Sequence, residues 1–234
     1  MDAVPSDVAH AARLLVLSYP NNPTAGVATR EFFADALAFC DAYDLLLVHD
    51  FPYVDMVFGD GTAPSALEPT GALERTVELY SMSKSVHMSG FRAGFALGQP
   101  DALAALKTVK SAIDFNPWLG IQRAAVAALG LPRERIRQDV KRFEQRRDAL
   151  LGALRDGGLD VRTPQAGMFV WAPLPQGWDD STAFALDLVA RTGVAVAPGV
   201  AFGPSGEGWM RLALVAEPTR LAEAGRLIAQ QRPA

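Results

Sequence analysis

Residues 76–97 read TVELYSMSKSVHMSGFRAGFAL. Thr76 to Tyr80 is a short, mostly apolar run of strand type, and Arg92 to Leu97 reads as another. Between them the chain places hydroxyls, glycines and a single lysine, in the order Ser81, Ser83, Lys84, Ser85, Ser89, Gly90. A lone lysine in a loop is ordinarily a solvent-facing charge. Here Ser81 precedes it by three positions and Arg92 follows it by eight. A hydroxyl, an amine and a guanidinium are thus gathered just past one strand end.

Working outward, the same grammar recurs. Leu14 to Ser18 (LLVLS) is a buried-type strand ended by the turn cluster Tyr19-Pro20-Asn21-Asn22-Pro23. A helical pattern runs from Thr29 to Tyr43, with Thr29 as N-cap and Phe33, Leu37 and Cys40 on one face. Leu45 to Val48 (LLLV) is a further strand, ended by His49-Asp50-Phe51-Pro52-Tyr53. Apolar strands separated by helices predict an α/β fold with a mainly parallel sheet covered on both sides. Helices are expected over 100–110 and 122–129, then a long one over 133–155 stopped by Gly157-Gly158. The arginines of that long helix are expected on a solvated face. Beyond it, short strands at 160–162, 167–172, 194–196 and 209–215 alternate with helices at 181–191 and 218–231. Pro218 suits a first helical position. This predicts a large domain over 1–130, a connecting helix over 131–156 and a smaller α+β domain over 157–234.

Composition narrows the function classes. Half of the 234 residues are hydrophobic and the formal net charge is −4, a globular chain without the basic face of a nucleic-acid binder. The single cysteine, Cys40, excludes a disulfide framework and reads as a buried structural thiol. The three histidines lack metal-ligand spacing, so no metal is expected, and none of them is given a catalytic part. The start has no signal-peptide pattern, and no apolar run approaches the roughly 20 residues of a membrane span. A soluble, cytoplasmic protein with no membrane partner is the expectation.

In open α/β sheets ligands bind beyond the carboxyl ends of the strands. Those ends carry Asn22, then Asp50 and Tyr53, then Ser81, Ser83, Lys84 and Arg92. An amine, a carboxylate, a phenol, an amide and an arginine–hydroxyl pair suit a cofactor with an aldehyde, a basic ring nitrogen, a phenolic oxygen and a phosphate. That cofactor is pyridoxal 5′-phosphate.

These residues also carry a family resemblance. Tyr19-Pro20-Asn21-Asn22-Pro23-Thr24 resembles the Asn-Pro-Thr-Gly signature of the class I/II, fold-type I aminotransferases, with Ala25 inserted before Gly26. Asp50 with Tyr53 resembles the family's aspartate–x–x–tyrosine element. Ser81-x-x-Lys84 followed by Gly90-x-Arg92-x-Gly94 is similar to its lysine motif. Residues 206–213 (GEGWMRLA), with Arg211, resemble the segment that carries the carboxylate-binding arginine. The phrase at residues 49–59 (HDFPYVDMVFG) is similar to that of alanine and LL-diaminopimelate aminotransferases.

The resemblance implies roles. Lys84 forms the aldimine with the cofactor and shuttles the proton. Asp50 partners the pyridine nitrogen, while Asn22 and Tyr53 bond the phenolic oxygen. Ser81, Arg92 and more weakly Ser83 hold the phosphate, and Arg211, with Asn22, holds the substrate carboxylate. The implied reaction moves an amino group between an amino acid and a 2-oxo acid, in a homodimer once the family's amino-terminal portion is supplied. That portion carries a glycine-containing phosphate turn, and none precedes Asn22 here. The sequence therefore reads as a carboxy-terminal portion, a partial large-domain sheet with a smaller domain. Two other readings stay open: a truncated, inactive or cofactor-sensing remnant, or an amino-acid lyase or decarboxylase on the same fold.

Overall fold

A computed structural model describes residues 1–233. They form two compact units, Met1–Pro20 with Val27–Arg137, and Asn21–Gly26 with the chain from Gln138 onward.

In the first unit a short helix, α1 (Ser6–Ala11), leads into β1 (Leu14–Ser18), α2 (Arg30–Tyr43), β2 (Leu46–Asp50), β3 (Thr76–Ser81), the one-turn α3 (Met82–Ser85) and β4 (Gly94–Gly98). The strand order is β1-β2-β3-β4. β1, β2 and β3 run parallel, with Ser18 level with Asp50, and β4 is antiparallel to β3 with Gly94 opposite Ser81. A mainly parallel sheet follows from strands joined by a helix; the antiparallel β4 follows from a return loop of only a dozen residues. Gly94 is required at its place, because a Cβ there would lie 2.6 Å from the Tyr80 carbonyl oxygen.

α2 forms as its sequence predicts. Thr29 Oγ1 accepts the Phe32 N–H at 3.1 Å, and Asp44 ends the helix in the left-handed conformation. Phe33, Ala36 and Cys40 pack with Leu45, Leu47 and Ala66 in one buried cluster. Burial raises the Cys40 thiol to about 11, which suits packing and not nucleophilic work. Removing the cap in Thr29→Ala is expected to cost about 1 kcal/mol. Urea melts should show a lower midpoint with an unchanged slope.

Cover is uneven. Leu47, His49, Val77 and Glu78 on the central strands are buried, whereas Val16 on β1 and Leu97 on β4 are exposed, so two-sided burial stops short of the edges. α4 (Pro100–Ile113) and α5 (Leu119–Leu129) bury none of their side chains, and Ile113, Trp118 and Val126 stand exposed.

α6 (Arg133–Asp156) begins in the first unit and runs through the second, where β5 (Phe169–Pro173), α7 (Ser181–Thr192), β6 (Ala197–Pro198), β7 (Trp209–Ala213) and α8 (Pro218–Ala229) follow. Its sheet, ordered β5-β7-β6, is antiparallel. The antiparallel sheet with its helices is the α+β texture expected, and Pro218 opens α8. α6 buries Phe143, Leu150 and Leu154. It meets α8 closely at Gly225, where a Cβ would lie 2.8 Å from that of Ala153.

Two local expectations change. Residues 160–162 form no strand: the Arg155 guanidinium donates to the Val161 carbonyl at 2.7 Å, so a side chain satisfies that backbone in place of a neighbouring strand. The same bond, with Arg146 and Arg147 donating to the carbonyls of Leu214 and Pro164, turns part of the arginine row inward. The strand expected at 194–196 is displaced to β6, because Thr192 Oγ1 accepts the Val194 N–H and holds that stretch in a turn.

Candidate active site

The first unit presents its polar groups at the carboxyl ends of β2 and β3. Asp50 is the last residue of β2 and is exposed. Burial of part of the carboxyl raises it above the ordinary carboxylate range, and the charge of His49 draws it back. Tyr53, three residues on, is buried.

Ser81 ends β3 and caps α3, its Oγ accepting the Ser83 N–H at 3.2 Å. Lys84 sits in the single turn that follows. Its Nζ lies 5.6 Å from the centre of the Tyr53 ring and makes no hydrogen bond or ion pair with another described residue. Ser85 Oγ on the same turn is buried without a partner among the described residues.

The loop is pinned shut at its base. The Met82 N–H donates to the Ala93 carbonyl at 3.1 Å, and the Met88 N–H to the Met82 carbonyl at 3.1 Å. This closure brings Arg92 back toward Ser81, whose strand neighbour is Gly94. Arg92 takes a positive φ of 53° and donates through one guanidinium nitrogen to the Ser89 carbonyl at 3.0 Å. Asp50, Tyr53, Ser81, Ser83, Lys84 and Arg92 thus all lie in the first unit.

Asn22 and Arg211 belong to the second. Arg211 sits on β7, between Trp171 of β5 and Ala197 of β6. Its guanidinium lies 4.2 Å from the Phe169 ring centre and 4.7 Å from that of Phe202, and donates to Asn22 Oδ1 at 2.8 Å. Two aromatic faces and an amide fix the direction of its fork. Asn22 is presented by a turn in which the Asn21 N–H donates to the Gly26 carbonyl at 2.8 Å. A polar pair 189 positions apart in sequence is therefore one bonded unit.

Sequence reasoning passed over a buried network. His49 and Glu78 are fully buried and paired at 2.8 Å, with Tyr80 and Ser65 bonded to the same carboxylate. The available signal was Glu78 itself, a charge inside the strand run TVELY, which demands a partner.

The chain thus presents an α/β sheet with a lysine loop at its carboxyl rim, and an antiparallel α+β unit. The chain belongs to the aminotransferase class I and II family, whose model matches residues 1–224. It is 39% identical over 224 residues to LL-diaminopimelate aminotransferase 2 of Nostoc sp. (strain PCC 7120), covering 96% of this chain and 57% of that protein. It is 42% identical over 214 residues to LL-diaminopimelate aminotransferase of Dehalococcoides mccartyi (strain ATCC BAA-2266), covering 91% and 55%. Among solved structures it resembles a probable N-succinyldiaminopimelate aminotransferase from Thermus thermophilus, with 46% identity and a TM-score of 0.93 over 98% of this chain and 61% of that one. The chain spans somewhat over half the length of the curated relatives it matches.

Proposed function

We propose that this chain carries the lysine and the carboxylate-binding arginine of a pyridoxal-phosphate-dependent aminotransferase acting on an amino acid and a 2-oxo acid. The observation that carries this reading is Lys84, a half-buried amine over the Tyr53 ring with no ionic partner among the described residues.

The donor set fits the cofactor. Asp50 offers a carboxylate for a pyridine nitrogen, Ser81 and Arg92 a hydroxyl and a guanidinium for a phosphate, and Tyr53 a phenol for the ring oxygen. Ser83 lends its hydroxyl only, since its N–H is already given to Ser81. Pyridoxal phosphate, when bound, supplies an aldehyde carbon and a ring that accepts an electron pair from the substrate. Lys84 Nζ holds that aldehyde carbon and, once released, moves the proton at the substrate's α-carbon. Asp50 holds a proton on the ring nitrogen. Arg211, steadied by Asn22, Phe169 and Phe202, clamps the α-carboxylate.

The names of the relatives support substrates of the diaminopimelate class. A homodimer, implied by the resemblance, belongs to the same reading, and the exposed apolar side chains of α4 and α5 support it. The test is amino transfer from amino acids of that class to 2-oxo acids by the cofactor-loaded chain. Bound cofactor without any transfer would contradict the reading. Arg211→Met is expected to lower kcat/KM for α-amino acids on the order of 10^2-fold, because it strips a charged partner from a desolvated carboxylate. Cofactor affinity should stay within about twofold if Arg211 serves the substrate alone.

A further inference from the structure

Two tryptophans of the second unit have no part in the chemistry above. In the sheet β5-β7-β6, Trp171 lies opposite Arg211, and Trp209 precedes Arg211 by two residues on the same strand. Strand alternation therefore puts Trp171, Trp209 and Arg211 on one face, while Val170, Ala172, Met210 and Leu212 are buried on the other. The side chains on the first face touch in a row. The Arg211 guanidinium lies 4.7 Å from the Phe202 ring centre, Phe202 meets Trp171 edge to face at 5.7 Å, and Trp171 stacks on Trp209 at 5.9 Å with the planes 4° apart. Phe202 is delivered to the row by a 3-10 turn, Gly199–Phe202. That turn presses on β7 closely enough that a Cβ on Gly199 would lie 2.6 Å from the Trp209 carbonyl oxygen.

Exposure rises along this row. Phe169, beside the guanidinium, is buried, Phe202 and Trp171 are half-buried, and Trp209 at the far end is 37% exposed. A ligand whose carboxylate sits on Arg211 thus has aromatic surface beside it on the way out to solvent. The other strand residues of this face, Pro173, Ala197 and Ala213, are uncharged and half-buried. Among the described residues of the three strands, Arg211 is the one charge on the face, so a second carboxylate of the ligand finds no cation there. Indole faces carry negative potential. They pack against methylene groups and attract an ammonium, tryptophan more strongly than any other side chain.

We propose that Trp171 and Trp209 are specificity-determining residues that bind the side chain of the amino-acid substrate, selecting a chain of several methylenes with an ammonium at its far end. The proposal rests on the reading of Arg211 as the clamp on the α-carboxylate and adds what meets the rest of the molecule. A diaminopimelate-class substrate carries both an ammonium and a carboxylate at its far end. The row assigns recognition to the ammonium, since its surface is aromatic and uncharged.

The test compares three amino donors with one fixed 2-oxo acid and the cofactor-loaded chain. They are LL-2,6-diaminopimelate, L-2-aminopimelate, which keeps the chain and both carboxylates but lacks the distal ammonium, and L-alanine, which has neither. In Trp209→Leu and in Trp171→Leu the kcat/KM ratio of diaminopimelate to alanine should fall about tenfold, mainly through KM. The ratio of aminopimelate to alanine should move by no more than about threefold. Trp209→Phe retains a ring face and should recover most of the preference. Unchanged ratios in both leucine variants would overturn the proposal, and an equal fall for aminopimelate would overturn the role of the ammonium. A second readout needs neither turnover nor a folded leucine variant. Diaminopimelate should quench the tryptophan fluorescence of the parent chain without cofactor, aminopimelate should do so at about tenfold higher concentration, and Arg211→Met should lose the response to both. Absent quenching, or equal quenching by the two ligands, would count against the row. A parent that transfers from none of the donors refutes the aminotransferase reading, while the fluorescence still decides what the row binds.

Discussion

If the proposed reading holds, Lys84→Ala is expected to lower amino-transfer turnover by at least about 10^4-fold, because one group would both anchor the aldehyde and move the α-proton. The fold should survive. Lys84 lies in a single helical turn, half-buried, with its amine 5.6 Å from the centre of the Tyr53 ring and its carbonyl, which the substitution leaves in place, accepting the His87 N–H. Met82 and Met88, which are buried and whose backbones close the loop, are untouched by the change. A thermal melt within a few degrees of the parent, together with lost turnover, is the predicted pattern. Lys84→Arg should be equally inactive, since a guanidinium keeps the charge but cannot act as the amine. Activity retained in either variant would remove Lys84 from the chemistry.

Asp50→Asn carries the second large effect. An amide cannot hold a proton on a pyridine nitrogen as a carboxylate does, and turnover should fall by about 10^2–10^3-fold. Stability should move the other way. In the folded chain Asp50 resists ionisation, since burial raises its carboxyl and His49 offsets this only in part. A raised folded value means that ionisation disfavours the fold, so the penalty is present above the folded value. It fades as pH falls toward and below the ordinary carboxylate value of about 3.9. Asp50→Asn lacks that penalty. It should melt no lower than the parent at neutral pH, with any advantage vanishing in acid. A variant less stable at neutral pH and equal in acid would reverse the sign and contradict the account of Asp50's surroundings.

Much of this was readable from single residues. Thr29 as a cap, Phe33, Leu37 and Cys40 as one buried face, and Pro218 at a helix start follow from local rules that the structure obeys. The strand ends bearing Asp50 and Ser81 were legible because apolar runs stop at polar turn chemistry. What escaped depended on partners distant in sequence. Arg155 satisfies the Val161 carbonyl from the preceding helix, which no β-pattern could reveal. Arg211 and Asn22 could each be flagged from a motif, but the bond between them comes only from the folded chain. His49 was given no catalytic part, the histidines lacking metal-ligand spacing, and Glu78 was absorbed into the mostly apolar strand run TVELY. Their pairing required the β2–β3 register, which matches His49 with Glu78 and leaves Asp50 level with Leu79. The single charge in TVELY was the clue, since a buried carboxylate needs hydrogen-bond donors around it, here His49, Ser65, Ala66 and Tyr80.

The central claim is that residues 76–97 hold an aldehyde cofactor through one lysine. The direct measurement is to incubate the chain with pyridoxal phosphate, reduce with borohydride, digest, and locate the phosphopyridoxyl mass by peptide sequencing. The account predicts a single major adduct on Lys84 that is absent from Lys84→Ala. No adduct, or one distributed over exposed lysines such as Lys107 and Lys141, would contradict it.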